Sequence, residues 1–238
     1  MEERRGSGCT GVVATLVIIA MVISGVVWLS PVLDLGNLRD AVITQDGLDG
    51  VPGSGGEGYT FLSTTSSGQP ITWACEAQIE VVVNPEGAPD GYAELVASAL
   101  ATVNDASSFT FVDAGETDDR EFFDRGRGPV LLGWADEEEV PQLAGQTAGV
   151  GGASFLTGPG GRGRAVGGMV VLDRDLPGGW FGRGVDEEVV LVHELLHVLG
   201  LGHTEDPSQL MAAEHTTQSQ LGEGDLAGLA ALEAAACG

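Results

Sequence analysis

The sequence predicts an α/β (α+β) fold: a twisted mixed sheet with helices packed on it. Two observations carry that prediction. Short apolar runs of strand character recur between residues 78 and 172, bounded by Gly, Pro, Asn or Asp. Segments of helical period interrupt and then follow them, so the alternation builds a sheet layered with helices.

Residues 78–84 (QIEVVVN) read as a strand that Asn84-Pro85 ends. Asp90 is placed to cap a helix over about 91–104, with Leu95, Val96, Ala99, Leu100 and Val103 on its buried side. Residues 109–112 and 130–134 read as further short strands, 148–155 as another, and 169–172 as a buried one. The acidic clusters 113–121 and 136–139 read as solvated loops, and the glycine-rich run 158–168 as a flexible one. Asp186 would cap a helix ending at Leu199, with Glu187 and Glu188 at the positive end of its dipole. Residues 225–236 supply the last helix.

The chain has 238 residues, enough for one ordinary domain with extras. Ten Arg, no Lys and 35 acidic residues give a formal charge of −25, which argues against nucleic acid as a partner. The absence of Lys also removes Schiff-base and P-loop chemistry, so the glycine-rich run is no phosphate cradle. Residues 1–10 form a short polar tail with Arg4 and Arg5, expected in the cytoplasm. Residues 11–29 are uncharged and apolar, long enough for a short transmembrane span or a long signal-peptide core. No small-x-small cleavage site lies near Trp28-Leu29-Ser30-Pro31, so an uncleaved signal anchor is expected, with secretion after cleavage as the alternative. The body of the chain is then held at the cell membrane by residues 11–29, outside the cytoplasm. Residues 30–69 read as a flexible linker rich in Gly, Ser, Thr and Asp, and 70–238 as the folded domain. Cys9 falls on the reducing side, whereas Cys75 and Cys237 fall outside and can pair; two free thiols are the alternative.

The chemistry concentrates in residues 193–203 (HELLHVLGLGH). His193 and His197 are one helical turn apart, so they stack on one face and can hold one Zn²⁺. Glu194 lies beside the first ligand, where its carboxylate reaches a metal-activated water without being a ligand itself. Gly200 tolerates positive φ and lets the chain turn, which returns His203 as a third ligand. Three protein ligands leave a fourth position for water, the pattern of a catalytic zinc. From Val189 to Leu199 only His193, Glu194 and His197 are polar, and a helix apolar on every side is a buried one. The bland alternative is a core helix with satisfied histidines; five specified residues at fixed spacing oppose it.

The stretch matches H-E-x-x-H-x-x-G-x-x-H and resembles the metzincin zinc peptidases, most of all their matrixin branch in its small bacterial form. Thr204 follows the third ligand, Leu210-Met211 stands at matrixin spacing, and residues 221–229 (LGEGDLAGL) resemble the matrixin entry into the last helix. The resemblance implies a metzincin-like zincin domain with an active-site helix and a carboxy-terminal helix. It makes Met211 the Met-turn methionine beneath the metal, and 148–155 the edge strand that pairs with substrate backbone. It allows calcium at Asp173 and Asp175, where matrixins carry an acidic run, although Leu176 interrupts that run here. No Pro-Arg-Cys-Gly latency motif is present, and Ala213 stands where some metzincins carry a Tyr.

The function expected is zinc-dependent endopeptidase activity on peptide or protein substrates. One zinc activates the water, and Glu194 is its general base. The alternative is a catalytically inactive, membrane-tethered module that binds zinc or peptides; retention of Glu194 beside all three ligands speaks against it.

Overall fold

The computed structural model describes residues 43–44, 53–123, 125–145, 147–158, 163–175, 187–213 and 218–238. All of them belong to one compact unit, Ile43–Gly238. The polar tail 1–10, the apolar stretch 11–29, Cys9, Leu176 and Asp186 lie outside the described residues. Among the described residues, no helix is long and apolar enough to cross a membrane.

The elements follow one another as β1 (Ile43–Thr44), β2 (Gly53–Gly56), β3 (Tyr59–Phe61), β4 (Gln78–Val83), α1 (Tyr92–Ala106), β5 (Thr110–Glu116) and β6 (Val130–Ala135). After a 3₁₀ turn at Pro141–Leu143 come β7 (Gly149–Thr157), β8 (Gly163–Asp173), α2 (Glu187–Leu199), β9 (Leu201–Gly202) and α3 (Glu223–Cys237). Six strands form one sheet in the order β1-β7-β8-β6-β4-β5, and β2-β3-β9 form a second. Strands β5, β4, β6 and β8 are parallel, whereas β7 runs antiparallel to β8, so the main sheet is mixed as expected.

Alternation along β4 explains its place. Ile79, Val81 and Val83 point into the larger core, whereas Gln78 and Glu80 are exposed. Helix α1 adds Val96, Ala99, Leu100 and Val103, spaced three or four apart on one face. Strand β6 is buried along its whole length, because both of its faces are covered. Val130, Leu132 and Trp134 join the core shared with α1 and α2. Leu131 and Ala135 join a smaller one with Phe122, Val140, Leu143, Val150, Met169 and Val171. Helix α2 thus lies against the sheet with apolar surface around it, which is why its sequence shows no polar stripe.

Several boundaries differ from expectation. The folded region begins before residue 70: β2 and β3 form a hairpin inside the expected linker, and β3 pairs with β9. Gly/Ser/Thr composition conceals it, since these strands are held by backbone pairing and by Tyr59 and Phe61 alone of the larger side chains. Helix α1 starts after Gly91, whose φ of 83° makes the entry, with no capping bond from a side chain; Asp90 is not the cap. Strand β5 extends to Glu116, so the first four residues of the expected acidic loop are an exposed sheet edge. The run expected as a flexible glycine loop is β8 from Gly163 onward. Its glycines serve close approach: a Cβ on Gly168 would lie 2.5 Å from Gly152 O.

The disulfide joins Cys75 to Cys237, tying the approach to β4 to the end of α3 across 162 residues of sequence. Closing so long a loop removes much of the unfolded chain's freedom. Reduction is therefore expected to lower unfolding stability by about 2–4 kcal/mol, read from denaturant midpoints of oxidised and reduced chain. Free thiols at both positions in the oxidised sample, found by alkylation and mass spectrometry, would refute the linkage.

Candidate metal centre

Helix α2 carries His193, Glu194 and His197, and β9 leads directly into His203. The turn between them depends on Gly200, whose φ is 118°. Its amide closes the helix on Leu196 O at 3.1 Å and His197 O at 3.0 Å. A Cβ there would also meet Ile71 O at 2.7 Å, so the position excludes a side chain on two counts.

The three imidazoles converge. Nε2 of His203 lies 3.1 Å from Nε2 of His193 and 3.1 Å from Nε2 of His197. Among the described residues, these three are the only group of three or more side chains arranged to hold a metal ion. The opposite ring nitrogens are spoken for by carbonyls, which can only accept. His193 Nδ1 donates to Leu210 O at 2.9 Å, and His197 Nδ1 donates to Leu201 O at 2.7 Å. In the neutral form both rings therefore turn Nε2, the acceptor nitrogen, toward the centre. With Zn–N of about 2.0–2.1 Å, a tetrahedral ion would space its nitrogens by about 3.3 Å, close to what is found. Burial pushes the His197 pKa well below its ordinary 6.5, and His193 and His203 lower it further, so it is held neutral, as a ligand must be. His203 is exposed and marks the open side of the site.

Glu194 is buried on the same helix, next to His193 in the chain. Strand β7 reaches it through glycines: a Cβ on Gly151 would lie 2.4 Å from Glu194 O, and one on Gly149 would lie 2.9 Å from Glu194 Cγ. The Gly151 backbone hydrogen-bonds to the carboxylate, but burial dominates and raises its pKa from the ordinary 4.5 to about 8. A carboxylate in such a place keeps its proton unless a positive charge stands nearby, which a divalent ion at the three histidines would supply.

A frame behind the three histidines orients them. Met211 is buried in the core beside Leu210, and its carbonyl accepts the Thr204 amide at 2.8 Å. Asp225, wholly buried in the first turn of α3, accepts the amides of Leu210 at 2.7 Å, Met211 at 3.2 Å and Gly222 at 2.8 Å. Gln209 Oε1 accepts the Gly224 amide at 2.8 Å, so the two elements grip each other. On the other side, Thr72 Oγ1 and Trp73 Nε1 donate to Leu199 O and Val198 O, both at 2.8 Å, at the end of α2. Asp225, Gln209, Thr72 and Trp73 are not evident from sequence. Asp225 alone leaves a trace, an acidic residue in a first helical turn, and that trace does not reveal its burial.

Asp173 and Asp175 are adjacent, with the Asp175 amide bonded to Asp173 Oδ1 at 2.8 Å, but they join no metal-holding group. Burial raises the Asp173 pKa, and Arg174 between them pairs with Asp136. Calcium is not shown at this pair.

In the metal-free chain, the raised Glu194 pKa means the folded state holds a proton that the unfolded state releases. That contribution to stability is complete below about pH 4.5 and is lost as pH rises through about 8. Glu194→Gln should remove the loss. Chelated wild type and variant should unfold alike near pH 4.5, with the variant ahead by a few kcal/mol near pH 8, read from urea midpoints. Equal midpoints at both pH values would contradict this.

A comparison with curated proteins found no match. The family model for Matrixin matches residues 82–233, which spans β4 from its fifth residue, the converging histidines, Met211 and most of α3. With that match over most of its length and three histidines disposed for one metal ion, the chain belongs to the matrixin family of zinc-dependent metallopeptidases.

Proposed function

We propose that the chain is a zinc-dependent endopeptidase in which His193, His197 and His203 hold one zinc and Glu194 is the general base. One observation carries the reading: the Nε2 atoms of His193, His197 and His203 converge on one point, and the buried Glu194 sits next to the first of them on the same helix. Zinc, when bound, polarises the scissile carbonyl and makes a water acidic enough to attack near neutral pH. Glu194 would take a proton from the attacking water and return it to the leaving amine. The Gly151 backbone fixes the carboxylate in place, and the apolar wall of α2 behind it excludes bulk solvent.

The substrate lies along β7. Among the described residues, β7 pairs outward only with β1, at Phe155 and Leu156, so from Gly149 to Ser154 no described strand pairs with its outer edge. An extended peptide can add there as a further strand, which makes recognition depend mainly on backbone. The domain is placed outside the cytoplasm, anchored through residues 11–29. The Cys75–Cys237 disulfide supports this, because such bonds persist in oxidising compartments.

Glu194→Gln is expected to lower peptide hydrolysis by about 10²–10⁴-fold while zinc content stays at one per chain. His203→Ala should lose the zinc along with the activity. A glutamine variant that cleaves as fast as wild type would remove the base assignment. Wild type that holds zinc yet cleaves nothing in a broad peptide library would favour a binding module instead. Protease added to intact cells should digest the domain, and protection would reverse the orientation.

A further inference from the structure

The hairpin formed by β2 and β3 lies outside the part of the chain matched by the matrixin model, and the reaction proposed above assigns it no task. Its position gives it one. Strand β9 is only two residues long, yet it serves two of the three histidines. Leu201 O accepts from His197 Nδ1, and the next carbonyl but one is that of His203 itself. A strand of that length has no stability of its own and must be held from its other side. β3 does this, with Thr60 opposite Gly202 and Phe61 opposite Leu201. The Leu62 amide adds a bond to Gly200 O at 2.8 Å.

One side chain reaches past the ladder. Thr60 Oγ1 donates to His203 O at 2.7 Å. The neighbouring residue is a glycine for a visible reason: a Cβ on Gly202 would lie 2.7 Å from that same hydroxyl oxygen. The hairpin is itself seated firmly. Phe61 is in the core, Tyr59 packs edge-on against it with ring centroids 5.5 Å apart, and a Cβ on Gly224 of α3 would meet Gly58 O at 2.3 Å.

We infer that the β2–β3 hairpin is part of the metal centre and that Thr60 is a positioning residue, fixing His203 through its main-chain oxygen. The inference rests on the zinc reading above. Without the hydroxyl, His203 swings more freely on the exposed side of the site, and zinc leaves sooner. Side chains that orient a ligand at one remove typically change metal affinity by about 10-fold or more.

The test measures zinc release from the full chain into excess chromogenic chelator for wild type, Thr60→Val and Thr60→Ser. Valine keeps the β-branched shape and strand preference, and serine restores the hydroxyl. Thr60→Val should release zinc roughly 10-fold faster, with Thr60→Ser close to wild type. Unfolding midpoints of the three metal-free chains should stay together. Equal release from wild type and Thr60→Val overturns the inference, as does Thr60→Ser behaving like Thr60→Val. A metal-free midpoint that falls in step with zinc retention would make Thr60 merely structural and overturn it too. Should Thr60→Val not fold, Thr60→Ala takes its place, and failure of both counts against a positioning role. Wild type found without zinc would instead defeat the zinc reading itself, a result distinct from all of these.

Discussion

Burying His193, Glu194 and His197 on a helix that is otherwise apolar is the constraint to which the rest of this structure answers. An unmatched polar group in such a place costs several kcal/mol, so each must find a partner that does not occupy its working atom. The solutions are all backbone. Leu210 O and Leu201 O take the far ring nitrogens, and the Gly151 backbone meets the carboxylate. Backbone partners move little and cannot titrate, so they orient the rings without adding competing charge.

Those carbonyls need support in turn, and it comes from both ends of the described chain. Asp225 on α3 fixes the turn that presents Leu210 O, and β3 fixes the strand that presents Leu201 O. The Cys75–Cys237 bond then joins the far end of α3 to the approach of β4. The main sheet sets the floor, but ligand orientation is decided by short segments stitched around the end of α2. A site of this kind keeps its geometry only while segments distant in sequence stay docked together.

How much of this was legible in sequence follows from where the information resides. The helix and its three polar residues announce themselves, because periodic apolar positions leave few readings for a histidine pair one turn apart. The turn at Gly200 is legible too, since glycine at a helix end signals positive φ. The α/β order and the Cys75–Cys237 pairing were also within reach. The frame was not. Thr60, Thr72 and Asp225 act by reaching main-chain atoms remote in sequence, and nothing in their local pattern marks the partner. The hairpin at 53–61 hid behind linker-like composition, and β8 behind glycines that read as slack although they allow two strands to approach closely. Composition reports what a segment lacks in side chains; it says little about what its backbone is bonded to.

Gly200 has a meaning for descent as well as for folding. A side chain there would strain the positive-φ turn and push against Ile71 O, disturbing the segment whose Thr72 and Trp73 cap the end of α2. The damage would spread to Leu201 O and the path to His203, although no ligand had changed. Loss of this one hydrogen-sized side chain would therefore be an early mark of decay in a lineage. Descendants could carry all three histidines and the glutamate for a long time as relics, on a scaffold no longer able to gather them around an ion.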